Sequence, residues 1–195
     1  MTRVSSGGSS IRGRVVRTVL VASLGLGCFA PTSQGQDLTA ESAAVLKAAF
    51  LADLEVMRGK FLGLAEAFPQ DNYTWRPMEG VRSVSEVLML IASEGYGFAP
   101  MAFGADTAMS REESQGLNEI TNKAEVIDHL TKGFAYAQET LEAIDPATLT
   151  EARNLFGQER TVPQIALFVG GDMHEHLGQL IAYARSNEIV PPWSQ

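Results

Sequence analysis

The chain has a single cysteine, Cys28. No intramolecular disulfide can form, and Cys-rich zinc sites and iron–sulfur clusters are excluded. Basic residues are scarce: 15 Lys and Arg stand against 23 Asp and Glu, a formal charge of −8. Arg3, Arg12, Arg14 and Arg17 all precede residue 36, in a stretch with no acid, so the remainder holds 11 basic against 23 acidic residues, or −12. A folded part this acidic argues against nucleic acid or anionic lipid as its main partner. Strand-like alternation of any length is missing, as are internal repeats. No glycine-rich phosphate loop follows a strand, and no G-x-S-x-G places a nucleophilic serine. What is present is apolar: 45% of the 195 residues are hydrophobic and 19% charged, enough for one domain with a real core.

The N-terminus reads as an address. Arginines among Ser and Gly in residues 1–17 are followed by an apolar run, residues 18–30, and then by Pro31-Thr-Ser-Gln-Gly-Gln36. This is the layout of a secretory signal, with cleavage expected after Gly35 and small residues at Ser33 and Gly35. The apolar run is well short of the roughly 20 residues that span a bilayer. Residues 1–35 are therefore the expected signal peptide and 36–195 the mature domain, periplasmic or secreted and free of the membrane after cleavage. The alternatives are an uncleaved anchor, or a lipoprotein modified at Cys28. Gly27 suits the second, but Gly25 stands where such motifs usually carry Leu. Cleavage after Gly35 leaves a mature chain without cysteine, which excludes thiol catalysis.

The rest predicts four helices. Phe50, Leu54, Met57, Phe61, Leu64 and Phe68 recur at spacings of 4, 3, 4, 3 and 4, a seam within residues 38–68. Thr39 is the expected N-cap and Pro69 the stop. After a loop over 70–82, Ser83-Val-Ser-Glu86 is a capping box that opens a second helix. Its seam is Val84, Val87, Leu88, Ile91 and Phe98, and it ends near residues 100–104. Residues 105–120 read as a polar connection. Thr121 or Asn122 opens a third helix with Val126, Leu130, Phe134, Ala137, Leu141 and Ile144 on one face, stopped by Asp145-Pro146. Residues 147–160 read as a second connection. The fourth helix runs from about Thr161 to Asn187, with Pro163 tolerated in its first turn. The expected fold is all-α, a four-helix bundle with two long connections.

Polar residues interrupt the apolar faces. Ile165, Val169, Asp172, His176, Leu180 and Tyr183 follow one another at helical spacing, which turns Asp172 and His176 inward, one turn apart. Inward Asp and His must be hydrogen-bonded, paired or metal-bound. Two readings stand: a hydrogen-bonded pair within the helix, or two ligands of a metal site built in the bundle. His174 lies roughly 200° around the helix with Glu175, by the 100° step per residue. Glu94 sits beside the second seam, either as a boundary residue or as a third, carboxylate ligand. His129 reads as a surface residue of an acidic helix. Gly170-Gly171 suggests close helix packing or a small cavity. Tyr73, Trp75 and Trp193 fit rim or core packing, or the lining of a pocket.

Three stretches resemble the DinB/YfiT-like superfamily: Tyr73 to Leu88 (YTWRPMEGVRSVSEVL), the Leu90–Phe98 segment, and Asp172 to Arg185 (DMHEHLGQLIAYAR). The last is similar to that family's closing H-x-x-x-H-x-G-Q-L. The resemblance implies a four-helix bundle, commonly a homodimer, with a metal site at one end. That site is usually three histidines, one on helix two and two on helix four. Here His176 keeps its place, Asp172 stands at the first position of the closing pair, and Leu90 stands where the helix-two His is expected. The site is thus degenerate. The residues left to hold one divalent metal (zinc, nickel or manganese) are Asp172 and His176 with Glu94 or His174, an oxygen-rich set that binds less selectively than three imidazoles.

Relatives of this kind include thiol-dependent S-transferases and an isomerase of maleylpyruvate. The expectation is an exported DinB-like protein, a relative of metal-dependent hydrolases or S-transferases. The alternative is a metal-free bundle that binds a small ligand or serves as a structural dimer. Export weighs against the transferase chemistry, because low-molecular-weight thiol cofactors belong to the cytosol.

Overall fold

The computed structural model describes residues 38–194; the expected signal peptide, Cys28 and the cleavage position lie outside the described residues. Helix α1 spans Ala40–Ala67. The Thr39 hydroxyl accepts from the Ser42 N–H at 3.2 Å, and the helix stops at Phe68, before Pro69. Its whole predicted seam, Phe50 to Phe68, is buried. Helix α2 spans Val84–Ser93 behind the capping box of Ser83 and Glu86, in which the Ser83 N–H donates to the Glu86 carboxylate at 2.6 Å. It passes without a break into a π-helical turn, Glu94–Phe98, and a last turn α3, Ala99–Ala102.

The first connection is not bare loop. Ser110 and Glu113 make a second capping box that starts α4, Arg111–Gly116, followed by a 3-10 turn at Leu117–Glu119. Asn122 caps α5, Lys123–Ala143. The second connection holds a 3-10 turn, Pro146–Thr150, and a short antiparallel hairpin of β1, Arg153–Leu155, and β2, Gln158–Arg160. Helix α6 spans Val162–Ser186, and the Gln164 side chain accepts from the Thr161 N–H at 2.9 Å to satisfy its entry. Among the described residues no helix is long and apolar enough to cross a membrane.

The α2–α3 segment and α1, α5 and α6 form the bundle: α1 and α2 each pack on both α5 and α6. The π turn and α5 approach closely. A Cβ on Gly95 would lie 2.5 Å from the Gly133 carbonyl oxygen, and one on Gly133 would lie 2.5 Å from that of Ala92. Two glycines at this crossing let the backbones touch. Gly170 and Gly171 do not serve this purpose: a Cβ on Gly170 would make ordinary contacts at 3.8 and 3.9 Å, and one on Gly171 would meet nothing within 4 Å.

Two helix faces differ from the predicted seams. The π turn takes an extra residue per turn, so the buried line after Ile91 continues through Gly95 and Ala99, and Phe98 lies half-buried at the edge of the core. On α6 the core line runs Val169, Met173, Leu177 and Leu180. Asp172 and His176 flank that line on the side facing α2, half-buried rather than inside the bundle.

Candidate metal centre

Helices α2 and α6 run antiparallel, and their facing edges form a row of paired positions. The Tyr183 hydroxyl of α6 donates to the Arg82 carbonyl at the entry to α2, at 3.0 Å. Further along, Glu94 of the π turn meets Asp172 and His176. Beyond them the rings of Phe98 and Phe168 touch, with centroids 6.0 Å apart. The Gly95–Gly133 contact seats the π turn hard against α5, which leaves Glu94, its first residue, on the α6 side.

One potential ligand atom from each of Glu94, Asp172 and His176 lies within 4.8 Å of the other two. His176 Nε2 and Asp172 Oδ2 are 4.0 Å apart, with side-chain exposures of 16% and 34%. That gap is too long for a hydrogen bond. It is under twice the bond of about 2.0–2.2 Å that nitrogen and oxygen ligands make to a transition metal. Asp172 Oδ2 is buried and has no hydrogen-bond partner. A buried carboxylate oxygen without a fixed donor is costly unless a cation satisfies it or a neighbouring acid shares a proton with it, and the Glu94 carboxyl is the group placed to do so when no cation is bound.

The tautomer of His176 follows from a chain of hydrogen bonds. The Arg82 carbonyl can only accept, so the Tyr183 hydroxyl donates to it. Its oxygen then accepts from Gln179 Nε2 at 2.7 Å. This orients the Gln179 amide with Oε1 facing His176 Nδ1 at 2.9 Å, so Nδ1 is the donor. In the neutral ring Nε2 is left with its lone pair directed toward Asp172, the arrangement of a ligating histidine held by an outer hydrogen bond.

Glu94 is pushed up to about 9, first by burial and then by the Asp172 carboxylate, while Arg82 pulls the other way. In the cation-free site Glu94 therefore holds its proton at neutral pH. Beyond Gln179 the row opens onto a solvent-open cleft of about 600 Å³ lined by Arg76, Arg82, Glu86, Asn118 and Gln179, among others. Arg76 is paired with Glu86 at 3.1 Å. Arg82 has no ion-pair partner among the described residues, and its charge is what a small anion entering the cleft would meet.

Of the residues singled out in the sequence, Asp172, His176 and Glu94 come together and His174 does not. His174 is exposed, with Nε2 3.0 and 3.1 Å from the two carboxylate oxygens of Asp53 on α1. Leu90 lies one turn before Glu94 and offers no donor, so the α2 corner of the cluster is carboxylate. His129 is half-buried with its ring edge-on to Tyr96, centroids 6.2 Å apart. Tyr73 is fully buried, its hydroxyl donating to the Ala65 carbonyl at 2.8 Å. Trp75 packs edge-on against Tyr183, and Trp193 lies under Lys60 at the surface. The supporting roles of Arg82 and Gln179 were missed. The signal for Gln179 was present, since residues 176, 179 and 183 share one face of α6.

The sequence profile of the DinB superfamily matches residues 53–180. No curated protein and no solved structure matches the chain.

Proposed function

The chain belongs to the DinB superfamily, and on that premise we propose that it is an exported hydrolase whose divalent cation is held by Glu94, Asp172 and His176. The observation that carries this reading is the pairing of a buried, partnerless oxygen on Asp172 with the free lone pair of His176 Nε2. The donor set fits a borderline cation: one imidazole with two carboxylates suits zinc, manganese or nickel. Such a cation supplies Lewis-acid polarisation and a water whose pKa falls toward neutrality. The chain's own residues do the rest. Gln179 and Tyr183 hold the His176 ring in its ligating tautomer. Glu94 gives up its proton as the cation binds. Arg82 attracts and orients an anionic group of the substrate in the adjoining cleft. Hydrolysis is preferred to thiol transfer because an exported protein lacks the cytosolic thiol cofactors.

A second reading has its own support. Glu94 keeps its proton up to about 9, so the trio also suits a metal-free pocket in which a neutral carboxyl group donates to a small ligand. One experiment separates the two. Chelator-stripped chain 36–195, reloaded with zinc, nickel or manganese, is assayed on small esters and amides beside Glu94→Gln and Asp172→Asn. Metal-dependent turnover that both substitutions abolish is expected. Failure to take up any of the three metals, or turnover unchanged in both variants, contradicts the hydrolase reading.

A further inference from the structure

The hairpin carries a phenylalanine where that residue is conformationally costly. Phe156 and Gly157 form its two-residue loop, and both have positive φ, 55° and 77°. A loop of this kind favours Asn-Gly, and a bulky side chain in the left-handed region is strained. Burial does not offset the strain, because Phe156 is 69% exposed. The ring is nevertheless ordered by neighbours. It stacks on Phe98 with centroids 5.8 Å apart and meets Phe168 at 6.3 Å. Arg160 lies over the Phe168 ring, 5.1 Å from its centroid, and fixes it.

This three-ring shelf adjoins the centre described above. Phe98 is one turn beyond Glu94 and Phe168 one turn before Asp172, so both facing helix edges pass from ligand to ring within a turn. With Phe156 69% and Phe168 39% exposed, the shelf presents less than about 300 Å² to solvent, taking about 200 Å² for a free Phe side chain. A stable protein interface needs about 800 Å² per partner. The shelf is too small to hold a second copy and the right size for one ring.

Resting on the cation reading above, we propose that the site selects substrates with a flat apolar ring, which lies on Phe98, Phe156 and Phe168 while the neighbouring polar group meets the cation. The test uses two probes with the same chelating head, acetohydroxamate and benzohydroxamate, titrated calorimetrically into metal-loaded protein. Benzohydroxamate should bind about tenfold more tightly, the gain of one stacked ring. Phe168→Ala and Phe156→Asn should reduce that preference to below about threefold and leave acetohydroxamate affinity unchanged. Phe156→Asn suits the loop, so it should also raise the thermal midpoint; a variant that is more stable yet less selective separates recognition from folding. Equal affinity for the two probes in the wild type overturns the shelf while leaving the cation centre standing, as does an undiminished preference in both variants. A Phe168→Ala chain that changes oligomeric state in sedimentation also overturns it, because the rings are then a subunit contact. If the chain carries no metal and neither probe binds, the centre itself fails and the shelf with it.

Discussion

The proton on Glu94 can be read from the stability of the metal-free protein as a function of pH. In the folded chain Glu94 titrates at about 9, against an ordinary value of 4.5. Between those values the folded state binds a proton that the unfolded state has released. Stability linked to this group is fully present below pH 4.5 and is lost as pH rises toward the folded value. Each pH unit in that window removes up to about 1.4 kcal/mol. Between pH 5 and pH 8 that is at most about 4 kcal/mol, and solvent at the rim of the site screens it to about 2–4 kcal/mol. The assay is a set of urea melts in chelator at pH 5, 6, 7 and 8, for wild type and Glu94→Gln. Groups away from the site titrate equally in both proteins, so the difference in slope isolates Glu94 together with its coupling to Asp172. The variant should be the more stable of the two at pH 8, with the gap closing toward pH 5. Parallel slopes would show that Glu94 is ionised in the folded protein and would refute the account of its environment.

The remaining predictions concern positions around the centre. Gly133→Ala would drive a methyl group to 2.5 Å from the Ala92 carbonyl oxygen, so it should destabilise by about 1–3 kcal/mol despite better helix propensity. Gly59→Ala, with nothing within 4 Å, should stabilise by about 0.5–1 kcal/mol; thermal melts of the two read both signs. Arg82→Gln removes the one charge that favours Glu94 ionisation. It should move the pH dependence of binding upward and still strengthen cation affinity, because a divalent ion is relieved of more repulsion than the proton it displaces, without change of stoichiometry in a titration.

Legibility in the sequence followed the range of the interaction. The α1 seam, the Ser83 capping box and the cap at Asn122, one of the two positions the sequence offered, depend on residues a few positions apart, and each stands where its local pattern allowed it. Phe98 packs only at the edge of the core, because a π turn changes the residue count per turn, and its backbone bonds leave no mark in hydrophobic spacing. The Gly95–Gly133 contact joins two helices distant in sequence, whereas the conspicuous Gly170-Gly171 pair packs against nothing closely. Asp172 and His176 were visible as breaks in an apolar line, but Met173 and Leu177 compete for the core and win it on hydrophobic burial. The breaks therefore face the neighbouring edge of α2, where Glu94 waits. His174 was ambiguous from α6 alone; its partner Asp53 belongs to α1.

The most direct test is the number of cations bound per chain. Chelator-stripped protein is titrated with Zn²⁺ and Mn²⁺ by calorimetry, and its metal content is measured after dialysis, alongside Asp172→Asn, His176→Ala and His174→Ala. The account predicts one ion per chain in the wild type and in His174→Ala, with release of nearly one proton at pH 7 as Glu94 ionises. It predicts affinity at least about tenfold weaker in the other two variants. No uptake by the wild type, or uptake undiminished in Asp172→Asn and His176→Ala, would contradict it.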